Sequence, residues 1–80
     1  MAAPISPARS LDARGLRCPL PLVKARNEIE LIEVGEILEI VATDPGTDHD
    51  FRAWCARKRH QLVSVEQLPG PEFRFLIRRA

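Results

Sequence analysis

Ser10-Leu-Asp-Ala-Arg-Gly-Leu-Arg-Cys-Pro-Leu-Pro21 decides the fold, because this one stretch holds the end of a strand and the start of a helix. Ser10 to Arg14 reads as a short strand stopped by Gly15. Pro19 and Pro21 fall in a first helical turn, where backbone N–H groups have no partner inside the helix and proline is tolerated. Leu22, Ala25, Ile29 and Ile32 then recur as one apolar helical stripe, and Gly35 supplies the stop.

Working outward, Ile37-Leu-Glu-Ile-Val-Ala42 is a strand by its β-branched content, with Leu38, Ile40 and Ala42 on one face. A turn at Asp44-Pro45-Gly46 follows. Thr47-Asp48-His49-Asp50 has the form of a capping box, with Thr47 expected to accept from early amides of a second helix running to about Arg59. That helix carries Phe51, Trp54 and Cys55 inward, and Arg57, Lys58 and Arg59 near its negative end. Leu62 to Leu68 and Glu72 to Arg78 read as two strands joined through Pro69-Gly70-Pro71. The order β-α-β-α-β-β predicts an α+β fold: a two-layer sandwich of one four-stranded mixed sheet with both helices on one face. Residues 1–9 read as a flexible tail and residues 10–80 as the domain.

Eighty residues bury one thin core and enclose no deep cavity, so any reactive group belongs at the surface. Net charge of +1 and an aromatic content of 5% make direct nucleic-acid binding a secondary reading, confined to Arg74, Arg78 and Arg79 on the last strand. The near-zero balance hides blocks: eight acidic and no Lys or Arg over residues 27–50, seven basic and two acidic over residues 51–80. These are solvated faces or a pair of docking patches. With no long apolar run and no export signal, the expected location is the cytoplasm, away from membranes. Two cysteines 36 residues apart in between do not make a disulfide framework, so both thiols are expected free.

Cys18 is the residue on which chemistry centres. Pro19 disfavours helical geometry in the residue before it, which predicts an extended Cys18 in the N-cap position. There the positive helix end, with Arg14 and Arg17 nearby, is expected to lower the thiol pKa. His49 and His60 stand in no protease signature, and the fourth position of a C-x-x-C dithiol is Pro21. A solitary exposed thiol remains, able to take sulfane sulfur from a donor persulfide and yield it to an acceptor. Cys55, beside Trp54 and one turn after Phe51, reads as core. Asp12 and Asp50 could orient groups near the Cys18 loop, yet each also has a plain turn or helix-start role and neither is read as catalytic, and His60 reads as a packed or capping histidine. No four metal ligands cluster, and neither metal nor cofactor is expected.

Asp12, Gly15, Leu16, Cys18-Pro19-Leu20-Pro21, Gly35, Asp44-Pro45, Asp50, Trp54 and His60 together resemble the TusA/SirA-like sulfur carrier family over residues 10 to 80. The resemblance implies a carrier that holds sulfur as a persulfide on Cys18, a sulfurtransferase-type protein and not a stand-alone enzyme. It implies a cysteine desulfurase or rhodanese-type donor and a downstream relay acceptor, with 2-thiolation of tRNA wobble uridine as the foremost pathway. Sulfur oxidation, thiosulfate and molybdenum cofactor metabolism are the alternatives within that chemistry. A regulatory docking module acting through Arg57, Lys58 and Arg59 is the alternative outside it. A monomer is expected. One departure stands out: the family commonly has Gly before the histidine, whereas Arg59 here must adopt a left-handed conformation, at about 1 kcal/mol, or force another cap.

Overall fold

The computed structural model describes residues 6–80. Residues 1–5 of the expected tail lie outside that range. The elements are β1 (Arg9–Ala13), α1 (Leu20–Ile29), β2 (Ile37–Ala42), α2 (Gly46–Lys58), β3 (Gln61–Gln67) and β4 (Phe73–Arg78). The strand begins at Arg9, one residue before the boundary read from sequence, and the Ala8 amide already donates to the Ile37 carbonyl at 2.8 Å.

The four strands form one sheet in the order β1-β2-β4-β3, with β1 and β2 parallel and both other pairs antiparallel. This is the expected mixed sheet. Parallel pairing of β1 with β2 requires a crossover, which α1 supplies. The inward side chains run in registered rows across the sheet: Leu11, Ile40, Phe75 and Val65 make one, and Leu38, Ile77 and Leu62 make another. Both helices seal this face, α1 through Ala25 and Ile29 and α2 through Phe51, Trp54 and Cys55, in a single core. Phe51 and Phe75 meet edge to face with centroids 4.8 Å apart, a geometry aromatic quadrupoles favour. The opposite face keeps no helix. Ser10, Glu39, Arg74 and Glu66 bridge across it by a hydrogen bond and ion pairs.

Two details depart from the sequence reading, and a third point that it left open is decided. The apolar stripe extends to Ile32, which is buried, but α1 ends at Ile29. The Arg79 guanidinium donates to the carbonyls of Glu30 and Ile32, satisfying chain-end acceptors that another helical turn would otherwise have used. Next, Thr47 is not the cap of α2. Its side chain is 1% exposed and its hydroxyl has no partner among the described residues, because the helix starts one residue earlier, at Gly46. Third, α2 ends on Arg59 with φ 62° and ψ 25°, so the left-handed cap is kept without glycine.

Candidate functional site

Because β1 and β2 are parallel, Ala13 and Ala42 end at the same edge of the sheet, and the loops leaving them begin both helices there. Carboxyl ends of parallel strands are where open α/β sheets place their sites. The Gly15 amide donates to the Thr43 hydroxyl at 2.9 Å and ties the two loops together. Gly15 itself has φ 79°, a left-handed turn that lets the chain reverse off the strand. Arg17 to Leu20 closes a further turn by an amide–carbonyl bond of 2.8 Å, and exposed Cys18 is carried within it, joined to Pro19 by a cis peptide.

Asp44 organises this junction. Its Oδ2 accepts the Cys18 amide, its Oδ1 accepts the Gly46 amide at 2.9 Å, and its carbonyl accepts the Thr47 amide at 3.0 Å. One residue therefore caps α2 from outside and holds the backbone of the cysteine. Both amides favour the ionised carboxyl, with a smaller contribution from the Arg17 charge, and keep its pKa below the usual value. The thiol lies against the start of α2: a methyl group on Gly46 would stand 3.5 Å from Cys18 Cβ and 3.8 Å from Sγ. Cys18 Sγ donates to Asp50 Oδ2 at 2.6 Å.

That contact reverses the electrostatic expectation for Cys18. Hydrogen bonding to Asp50 raises the thiol pKa first, followed by partial desolvation and the charges of Asp50 and Asp44. Two helix starts bring partial positive charge, about half a unit each and spread over several amides, whereas Asp50 brings a full negative charge in direct contact. The carboxylate wins. Nor is Cys18 the N-cap: Pro19 occupies that position, with Pro21 buried two residues into α1.

The remaining predicted residues divide. Arg14 turns away from the thiol, bonding Asp12 through Nε at 2.9 Å and Nη2 at 3.0 Å and reaching Glu72 at 3.6 Å, so it lends Cys18 no charge. The pairing drives Asp12 down to about 2 and Arg14 up. Arg17 stays at the junction and acts on Asp44. Arg57 and Lys58 line a groove between the helices, about 400 Å³, whose other walls include Leu22, Arg26, Trp54 and Asp50. Arg59 caps α2 beyond that groove. Cys55 is 4% exposed, and burial pushes its thiol up to about 11. His60 stacks edge to face on Trp54 and accepts the Ala80 amide through Nδ1 at 2.9 Å.

Asp44 and Asp50 are the functional neighbours that sequence reasoning underrated. Asp44 is legible in the sequence only as part of an Asp-Pro-Gly turn, and Asp50 as a helix-start acid able to orient groups near the Cys18 loop, with no contact to the thiol foreseen. The available signal was topological, since a turn directly after β2 must lie beside a loop directly after β1 once those strands pair in parallel.

No helix among the described residues is long and apolar enough to cross a membrane. A family model described as sulfurtransferase TusA matches residues 9–79. Among solved structures, a SirA-like protein from Desulfitobacterium hafniense superposes with a TM-score of 0.78 at 18% identity, over 88% of this chain and 95% of that one. At that identity the likeness speaks for the fold, and the family match extends over the whole sheet, both helices and the cysteine junction. The chain belongs to the TusA family of sulfurtransferases, whose members carry sulfur between proteins.

Proposed function

We propose that Cys18 accepts a sulfane sulfur as a persulfide from a donor protein and passes it to an acceptor, in the cytoplasm and as a monomer. The observation that carries this reading is the placement of Cys18: an exposed thiol in a rigidly tied turn at the junction of two helix starts. The second cysteine is buried in the core and offers no resolving thiol. Substrates that arrive on other proteins suit such a site, since both partners must reach one sulfur.

In loading, the Cys18 thiolate attacks the outer sulfur of a donor persulfide, R–S–S–H. The new bond forms from Cys18 Sγ to that sulfur while the donor S–S bond breaks. The donor leaves as a thiolate and takes up a proton, and the thiol proton of Cys18 goes to solvent. One sulfane sulfur moves between two thiols, so no external oxidant or reductant enters. Discharge repeats the step with an acceptor thiolate as the nucleophile. Pro19 and Pro21 set the helix start that presents the sulfur, Arg17 steadies Asp44, and Arg57, Lys58 and Arg59 are the docking cluster. Within this chemistry, relay toward 2-thiolation of tRNA wobble uridine is the pathway we favour.

Incubation with a cysteine desulfurase and cysteine, or with thiosulfate and a rhodanese, followed by intact mass measurement, tests the reading. One reducible sulfur should be gained and should vanish in Cys18→Ser. Absence of gain from every donor would leave a docking module as the better account. Loading from the desulfurase alone favours the tRNA relay, and loading from the rhodanese alone favours thiosulfate metabolism. Replacing Arg57, Lys58 and Arg59 together should weaken loading while leaving the reactivity of Cys18 toward iodoacetamide unchanged.

A further inference from the structure

The four aspartates differ in what they hold. Asp12 is bonded by Arg14, Asp48 by Arg52, and Asp44 by two backbone amides. Asp50 has one hydrogen-bond partner among the described residues, the Cys18 thiol. It sits on the first turns of α2, a rigid element whose inner side is pinned by Phe51 and Trp54. Cys18 is held through its backbone N–H, which donates a hydrogen bond to the Asp44 carboxylate. The approach of sulfur to carboxylate is therefore set from both sides by backbone structure.

We propose that Asp50 is a positioning residue that distinguishes the empty carrier from the loaded one, retaining the Cys18 thiol by accepting its proton in a hydrogen bond and repelling the persulfide anion that replaces it. The inference rests on the persulfide reading of Cys18. An empty Cys18 has an S–H to donate, and the bond to Asp50 keeps the sulfur protonated against Gly46. A loaded Cys18 ends in a terminal sulfur that is more acidic than a thiol and is ionised at neutral pH. It has no proton to donate, and its charge faces a carboxylate, with a second at Asp44. Arg17 acts on Asp44 and stays on the loop side, while Arg26, Arg57 and Lys58 share the groove with Asp50, none of them hydrogen-bonded to it among the described residues. His49 lines the groove next to Asp50 without closing on the sulfur. The same side chain thus quiets the thiol against stray oxidation and alkylation, then turns the delivered sulfur outward to the acceptor.

The test compares the full chain with Asp50→Asn, following iodoacetamide alkylation of Cys18 by peptide mass from pH 6 to 11. Removing the charge should move the midpoint down by about one unit or more. Nucleophilicity falls with pKa along a Brønsted slope of about 0.4–0.5, so the variant should react about threefold faster at pH 7 and about threefold slower on the alkaline plateau. Such crossing profiles are the expected signature. A variant that reacts faster at every pH has only loosened the turn, and an unchanged midpoint removes Asp50 from any role; either result overturns the proposal. The unmodified protein gives a second reading that needs no variant: its thiolate ultraviolet absorbance, corrected by Cys18→Ser, should titrate above the ordinary thiol value of about 8.5, and a midpoint at or below it counts against the proposal. After chemical loading of Cys18 with inorganic polysulfide, the ratio of loaded to empty alkylation rates at pH 7 should be larger in the unmodified protein than in Asp50→Asn. Alkylation of the empty thiol needs no sulfur donor, so a protein that never loads but shows crossing profiles would refute the carrier reading and leave the Asp50 contact standing.

Discussion

Cys18 and Cys55 are both held above the ordinary thiol pKa, and for opposite reasons. Cys55 is raised by burial beside Phe51 and Trp54, whereas Cys18 is raised first by one hydrogen bond to one half-buried carboxylate. Burial is relieved only by opening the core. A carboxylate at the surface can be neutralised by any cation a partner brings. What separates a reactive cysteine from an inert one here is thus the removability of the group that quiets it, and not the resting pKa.

The largest effect expected from this contrast is in selective labelling. Under native conditions iodoacetamide should modify Cys18 by direct encounter and Cys55 only through opening of the core. For a domain of ordinary stability that opening restricts Cys55 by roughly a thousandfold or more, and denaturant should reduce the difference to a few-fold. Peptide mapping of a labelling time course reads both rates, and comparable native rates would break the contrast. Cys55→Ser sharpens it from the other side. A hydroxyl in that apolar core can bond only back to a carbonyl of its own helix, so the variant should lose about 1–3 kcal/mol in urea unfolding while still gaining sulfur at Cys18.

Asp44 ranks next. Its folded pKa lies below the unfolded value, so its contribution to stability is fully present above the ordinary carboxylate range and is lost as pH falls through the lowered value. The melting temperature of Asp44→Asn should therefore lie below that of the unmodified protein at pH 7, and the difference should shrink as pH falls through the ordinary carboxylate range toward the lowered folded value. His60 runs to the same acid side by a different route. Its folded pKa is lowered, mainly by desolvation, so protonation favours the unfolded chain as pH falls from about 6.5 through the lowered folded value. A doubly protonated ring also cannot accept the Ala80 amide at Nδ1. His60→Gln should flatten the melting curve where it falls below about pH 6.5, whereas Asp44→Asn should act only in the lower, carboxylate range.

The same contrast explains what could be read in the sequence. Periodicity placed both helices and all four strands to within a few residues, and the partner-free N–H groups at a helix start explained Pro21. Cys55 was legible because burial follows from a local stripe. Cys18 was legible as the site, but its electrostatics were not, since they depend on residues 26 and 32 positions downstream that arrive only when β1 and β2 pair. Local reasoning assigned Arg14 to the thiol by proximity along the chain. In three dimensions Arg14 bonds the acid two residues back, and the pair lines a shallow hollow with Ser10, Glu39 and Glu72 on the side of the sheet that carries no helix. Thr47 misled for a related reason: it has the residue type of a cap, but Asp44 satisfies the Gly46 and Thr47 amides from outside the helix, and Thr47 packs inward.

The smallest effect concerns Arg59. A side chain in the left-handed region is strained by about 1 kcal/mol relative to glycine, and among the described residues the Arg59 side chain makes no hydrogen bond or ion pair that offsets it. Arg59→Gly should accordingly raise stability by up to about 1 kcal/mol in urea unfolding, with the midpoint moving and the slope unchanged. Retention of arginine at a strained position is accounted for if the charge serves recognition, extending Arg57 and Lys58 into one cluster at the end of the helix whose start supports the thiol. The same variant should then load more slowly from a donor protein in single-turnover mass measurements, while its iodoacetamide rate at Cys18 stays that of the unmodified chain. A more stable Arg59→Gly that loads at full rate would detach Arg59 from docking and confine that role to Arg57 and Lys58, which line the groove that reaches Asp50.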